Sequence, residues 1–162
     1  MARKIFYSFH FDGDAWRTQQ VRNIGAVEGN KPVSPNEWEE VKKKGDDAVK
    51  RWINGQLDGR SCTVVLIGRN TAGRKWINYE ITRSWDDHKG VFGIYIHNLK
   101  DQDVVQASRG RNPFAEIKMD NGRMMSDYVH DIEPPYSDSK KVYEYISDHL
   151  EGWVEGAIKE RG

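Results

Sequence analysis

The chain has 162 residues, with Lys+Arg 25 balancing Asp+Glu 25 for a formal net charge of zero. That length suits one domain with a real core, read here as one unit over residues 1–162. A neutral balance argues against nucleic acid as the main partner, because phosphate contacts need a basic excess. The first residues lack the long apolar stretch of a signal peptide, and no run nears the roughly 18 apolar residues of a membrane span. The expectation is a soluble cytoplasmic protein. The single cysteine, Cys62, sits in an apolar run and reads as a core thiol.

In chain order, Lys4 to Phe9 is a short apolar run that suits a buried strand. Asp12-Gly13-Asp14 then offers a helix cap, with Trp16 and Val21 starting an inward stripe. Ile24 to Val27 could add a short strand before the loop chemistry of Glu28-Gly29-Asn30-Lys31-Pro32. Ser34-Pro35-Asn36-Glu37 is a strong helix start: Ser34 caps, Pro35 suits the first helical position, and Glu37 completes a capping box. Trp38, Val41, Gly45, Ala48 and Trp52 come next at helical spacing and predict one helix, stopped by Gly55 or Gly59.

Cys62 to Ile67 is a continuous run of the kind that forms a parallel strand covered on both faces. Arg74 to Lys89 reads as a helix with Ile77, Ile81, Trp85 and His88 on one stripe, and Val91 to His97 as another buried strand. Residues 98–126 look irregular, and a loop that long is usually functional or mobile. Asp127 to Ile132 suggests an edge strand. Ser137 or Ser139 can cap a last helix that turns Val142, Ile146, Leu150, Trp153, Ala157 and Ile158 inward. Strands alternating with helices imply a three-layer α/β/α fold around a parallel, flavodoxin-like sheet. Ligands in such sheets bind at the carboxyl ends of the strands, here near Phe9 to Asp12, Gly68 to Thr71 and His97-Asn98.

Several chemistries lack their motifs. There is no P-loop, no G-x-G-x-x-G after a strand and no G-x-S-x-G elbow. The five histidines show no metal-ligand spacing, so no metal is expected. A phosphoacceptor domain would want an Asp where the central strand ends, and Gly68-Arg69-Asn70 stands there. What remains is Trp76-Ile77-Asn78-Tyr79-Glu80. Trp76 and Glu80 are four apart and share a helix face near the ligand-binding end of the sheet. From spacing alone the plainer reading weighs more: Trp76 packs on the sheet and Glu80 is a solvated helix residue.

A wider resemblance shifts that balance. Phe6-Tyr7-Ser8-Phe9-His10, Trp38-Glu39, Ile53 to Leu57, Thr63 to Gly68, Arg74 to Ile81 and Asn112-Pro113-Phe114 together resemble the TIR-like proteins of the Thoeris anti-phage defence system. The likeness covers most of residues 3–97 and one later island. It implies the TIR-type flavodoxin-like fold and cleavage of the nicotinamide–ribose bond of NAD, which is substrate and not cofactor. It also implies a cyclic ADP-ribose-type product that switches on a separate effector. Glu80 falls on the family's catalytic glutamate and Trp76 on its neighbouring aromatic. Ser8, Phe9 and His10 would line the substrate pocket, although Ser8 could equally be a buried strand hydroxyl and His10 an unliganded loop residue. Trp38 reads as core packing. Many such domains work only as assembled homo-oligomers.

Competing readings are a non-catalytic interaction scaffold presenting Arg109, Arg111 and Arg123, a nucleoside deoxyribosyltransferase-like enzyme, and a nucleotide binder without turnover. With no fused effector expected, output would pass through a diffusible product or a separate partner.

Overall fold

The computed structural model describes residues 2–162. Its core is a four-stranded parallel sheet in the order β1 (Ile5–Ser8), β2 (Cys62–Ile67), β3 (Gly90–Tyr95), β4 (Asp131–Ile132). All side chains of the first three strands are buried, as their unbroken apolar runs require of strands covered on both faces. The segment 24–27 does not form a strand. Gly25 turns the chain at φ +78°, and the backbone beyond it meets the extension of β1 only through the parallel bridge of Lys4 with Glu28. Counting that bridge, which lies beyond β1, the strand order is flavodoxin-like.

Helices cover both faces, giving the three-layer α/β fold expected. Alternation along the strands decides which layer each residue meets. Ile5, Tyr7, Val64, Leu66, Phe92 and Ile94 pack with Val21 of α1 (Phe11–Arg22) and with Val142, Ile146, Leu150 and Val154 of α5 (Ser139–Arg161). On the other face, Phe6 meets Val49, Ile53 and Leu57 of α3 (Asp46–Leu57), while Val65 and Ile67 meet Ile77 and Ile81 of α4 (Lys75–Asp86). Cys62 is buried in the first cluster, and burial pushes its thiol up to about 12, so it is an inert core residue.

Some details depart from the sequence reading. The predicted helix from Pro35 is two helices, α2 (Pro35–Lys43) and α3, because Gly45 at φ +96° breaks it. Ser34 caps α2 as predicted, its Oγ accepting from the Glu37 amide at 3.1 Å. Trp16 faces outward, since the inner face of α1 is polar: Asp14, Arg17 and Thr18 are the buried neighbours of Val21. His88 is exposed beyond the end of α4, at φ +59°, instead of joining its stripe. The last helix is capped by Asp138, not Ser137 or Ser139, through a carboxylate that accepts from the Lys141 amide at 3.0 Å. The predicted edge strand shrinks to Asp131–Ile132, with Met125–Asp127 forming a 3-10 turn before it.

The stretch 98–126 is irregular but anchored. Arg17, buried on α1, donates to the carbonyls of Leu99 at 2.8 Å and Val105 at 2.9 Å, and pairs with Asp14 at 3.4 Å. Gly110 lies so close to the Gly68 carbonyl that a Cβ there would collide with it. These contacts fix the loop beside the carboxyl end of β2.

Candidate active site

A cleft of about 340 Å³ opens at the carboxyl end of β1, within the size range of small-molecule sites. It lies beside the switch point of the topology. The chain leaves β1 through α1 toward the Glu28 bridge, then returns through α2 and α3 to β2 on the opposite side of β1. The β1–α1 turn contributes Phe9 and His10, and α1 its first residue, Phe11; α2 contributes Trp38 and Lys42; α3 contributes Trp52 and Gln56; α4 contributes Trp76, Ile77 and Glu80.

Glu80 is the unusual group. It sits one turn beyond Trp76 on the wall of the cleft, and its Oε1 accepts a 2.6 Å hydrogen bond from the Ser8 hydroxyl. No cation pairs with it among the described residues. Burial pushes its carboxyl up to about 8, and the Ser8 hydrogen bond pulls the other way. The free protein therefore holds Glu80 mostly protonated at neutral pH. A carboxyl so perturbed, in a cleft, is a candidate functional group on physical grounds.

Around it the cleft is aromatic, with a cationic rim. Trp38 and Trp52 pack at 5.7 Å, and Trp76 meets Tyr79 edge-on at 5.9 Å. Lys42 lies over Trp38 at 5.4 Å and Lys75 over Trp76 at 4.8 Å. Arg22 donates to the Asn30 carbonyl and stacks near Tyr7 and Phe9, holding the 28–33 loop against the cleft. Burial, and then the charge of Arg74, lower the pKa of His10, which favours the neutral imidazole. Flat apolar plates, Lys and Arg at the rim and one proton-holding carboxyl suit a phosphorylated ligand with a ring and a sugar.

Of the residues singled out from the sequence, the structure brings Phe9, His10, Trp76 and Glu80 together on one cleft. Ser8 is buried behind them and reaches the cleft through Glu80. Trp38 packs on the Phe6–Val49–Ile53–Leu57 cluster and also lines the cleft, so core packing alone understates it. Sequence reasoning missed Trp52, Arg22, Asn30 and Gln56 as cleft residues. Trp52 was visible as an aromatic one helix further on; the others carry no pattern that marks them. Arg109, Arg111 and Arg123, the exposed cations of the scaffold reading, are each met by an acid: Glu133 at 3.0 Å, Glu116 at 2.9 Å and Asp127 at 3.9 Å. No group of three or more His, Cys, Asp or Glu that could hold a metal exists among the described residues, and none of their helices is long and apolar enough to cross a membrane.

A parallel flavodoxin-like sheet with a half-buried glutamate one turn beyond a tryptophan, facing a cleft at the end of its first strand, fits a TIR-like domain. The family described as Thoeris protein ThsB, TIR-like domain, matches residues 6–101, which carry every side chain named above as lining the cleft. A Bacillus cereus (strain MSX-D12) protein named "Putative cyclic ADP-D-ribose synthase ThsB1" is 40% identical over 169 residues, covering 99% of this chain and 76% of that protein. This chain belongs to the Thoeris ThsB TIR-like family. A cysteine–tRNA ligase of Pyrococcus furiosus is 25% identical over 126 residues, or 76% of this chain but 25% of that protein, a likeness too partial to bear on function.

Proposed function

We propose that this chain is an enzyme that breaks the nicotinamide–ribose bond of NAD and releases a cyclic ADP-ribose-type signal in anti-phage defence, with Glu80 as its catalytic carboxylate. The observation that carries the reading is the half-buried Glu80 carboxyl on the cleft wall, held by Ser8 and one turn beyond Trp76, inside the segment that matches the family. The relative named as a cyclic ADP-D-ribose synthase supports the product class.

Nicotinamide is cationic in NAD and leaves with the bonding electron pair as a neutral amide, so no general acid is needed. The ribose carbon becomes oxocarbenium-like, as in glycoside chemistry. A carboxylate beside the sugar binds its hydroxyls and stabilises that positive charge, more strongly in an apolar wall than in water. Trp76 and Phe9 supply flat faces that exclude water, and His10 a neutral polar edge. Exclusion of water matters because the next nucleophile decides the product: a second atom of the same molecule closes the ring, while water gives linear ADP-ribose. Arg74, Lys75 and Lys42 line the cleft rim and offer positive charge to a pyrophosphate.

Output then passes to a separate effector through the diffusible product, and assembly of several copies completes or stabilises the site. NAD in the cytoplasm is the proposed pool. The test is incubation of the purified protein with NAD at high protein concentration, followed by mass spectrometry; unchanged NAD under conditions where the chain assembles would reject the reading.

The charge state of Glu80 gives a pH expectation. A carboxylate is the working form, and the free protein holds the proton to about 8. kcat/KM for NAD is therefore expected to climb about tenfold per unit as pH rises toward 8, and to level above it. A profile flat from pH 6 to 9 would show that ionisation of Glu80 does not limit the reaction.

A further inference from the structure

We infer that Ser8 is a positioning residue for Glu80: its buried hydroxyl fixes the carboxyl on the cleft wall in the orientation the reaction uses, without itself meeting substrate. This rests on the reading of Glu80 as the catalytic group. Ser8 is the last residue of β1 and only 1% exposed, and it is absent from the cleft lining. Its backbone is locked in register with Val65 of β2. Strand alternation sends its side chain to the α4 face, with Phe6 and opposite to Tyr7. One rotatable bond then sets the hydroxyl, which donates to Glu80 Oε1 at 2.6 Å.

A glutamate side chain has three torsions to restrain, and Ser8 is its one side-chain hydrogen-bond donor among the described residues. Oε2 has no protein partner there and is left for a ligand. The titratable and charged groups that share the cleft are Tyr7 of β1, His10 just before α1, Asp12 and Arg22 of α1, Lys42 from α2, and Arg74 and Lys75 at the start of α4. None forms an ion pair with Glu80, so the hydroxyl is the group that favours its ionised form against burial.

The experiment compares wild type, Ser8→Ala, Glu80→Gln and the double variant by thermal unfolding from pH 5 to 10, with a pH–rate profile for NAD consumption by the first three. In Ser8→Ala the Glu80 proton should be lost about one unit higher than in wild type. Its stability should therefore keep falling to a higher pH, while both Glu80→Gln proteins lack that fall. The rising limb of kcat/KM should move up by the same unit, about tenfold slower at pH 7 and nearly restored by about pH 10, with KM changed less than about twofold. Should Ser8→Ala not fold, Ser8→Cys, a weak donor of similar shape, runs through the same series.

A loss of stability equal at every pH and equal with or without Glu80, or a rate lowered by one factor across the whole pH range, would make Ser8 a packing residue and overturn the inference. The unfolding arm needs no catalysis. Coupling of Ser8 to Glu80 alongside full activity of Glu80→Gln would instead fault the catalytic reading and leave this contact standing.

Discussion

Glu80→Gln is expected to slow nicotinamide release by about 10²–10³-fold while making the protein more resistant to heat than wild type as pH rises from 5 to 8. The two effects share one cause. Glutamine keeps an oxygen for the Ser8 hydroxyl, so the cleft wall is preserved, but it cannot carry the negative charge that faces the opening sugar. The stability sign comes from proton linkage. The Glu80 proton leaves at about 8 in the folded chain, against about 4.5 for an ordinary glutamate. Between those values the native state binds more protons than the unfolded one, so the contribution of Glu80 to wild-type stability is fully present below about 4.5 and is lost as pH climbs through 8. Glutamine has no such loss. The Tm difference between the two proteins should therefore widen with pH up to about 8 and then hold. A substitution that merely damaged the fold would lower Tm at every pH, so activity assays paired with calorimetry separate the two cases.

The second large effect is structural. Arg17→Met is expected to cost about 3–5 kcal/mol, because it leaves the buried Asp14 carboxylate without its ion-pair partner, strips the Leu99 carbonyl of its side-chain donor and leaves the Val105 carbonyl with the Asp101 amide alone. Burial already raises the Asp14 pKa, and Arg17 is the largest influence holding it down. Methionine matches the length of the stem but returns none of the hydrogen bonds. Thermal denaturation should show Tm lower by roughly 10 °C. Limited proteolysis should cut first between 98 and 108. Resistance of that loop with Tm unchanged would mean that Arg17 is not its anchor.

The parts of this fold legible in the sequence were those set by local burial. Strands β2 and β3 announce themselves because a strand covered on both sides must be apolar throughout, and Ser34-Pro35 starts a helix by its own side-chain chemistry. The break at Gly45 was hidden because apolar spacing runs on across it, so a pattern of period 3.6 cannot show where the axis changes direction. Trp16 misled for a related reason. The inner face of α1 is polar, and Arg17 finds its carbonyl partner 82 residues away, a distance no local pattern spans. The site divides in the same way. Trp76 and Glu80 could be placed on one helix face by counting, but their weight came from resemblance across several segments. That Ser8 meets Glu80 depends on β1 lying beside β2 under α4, which only the assembled sheet reveals.

Opening of the glycosidic bond of NAD in this cleft is tested most directly by following NAD with the wild-type protein by proton NMR, because ribose-linked and free nicotinamide give separate ring signals. Signals of free nicotinamide are expected to grow as those of NAD fade, with a product one water lighter than ADP-ribose. NAD signals that persist unchanged, with the protein folded and concentrated enough to assemble, would contradict it.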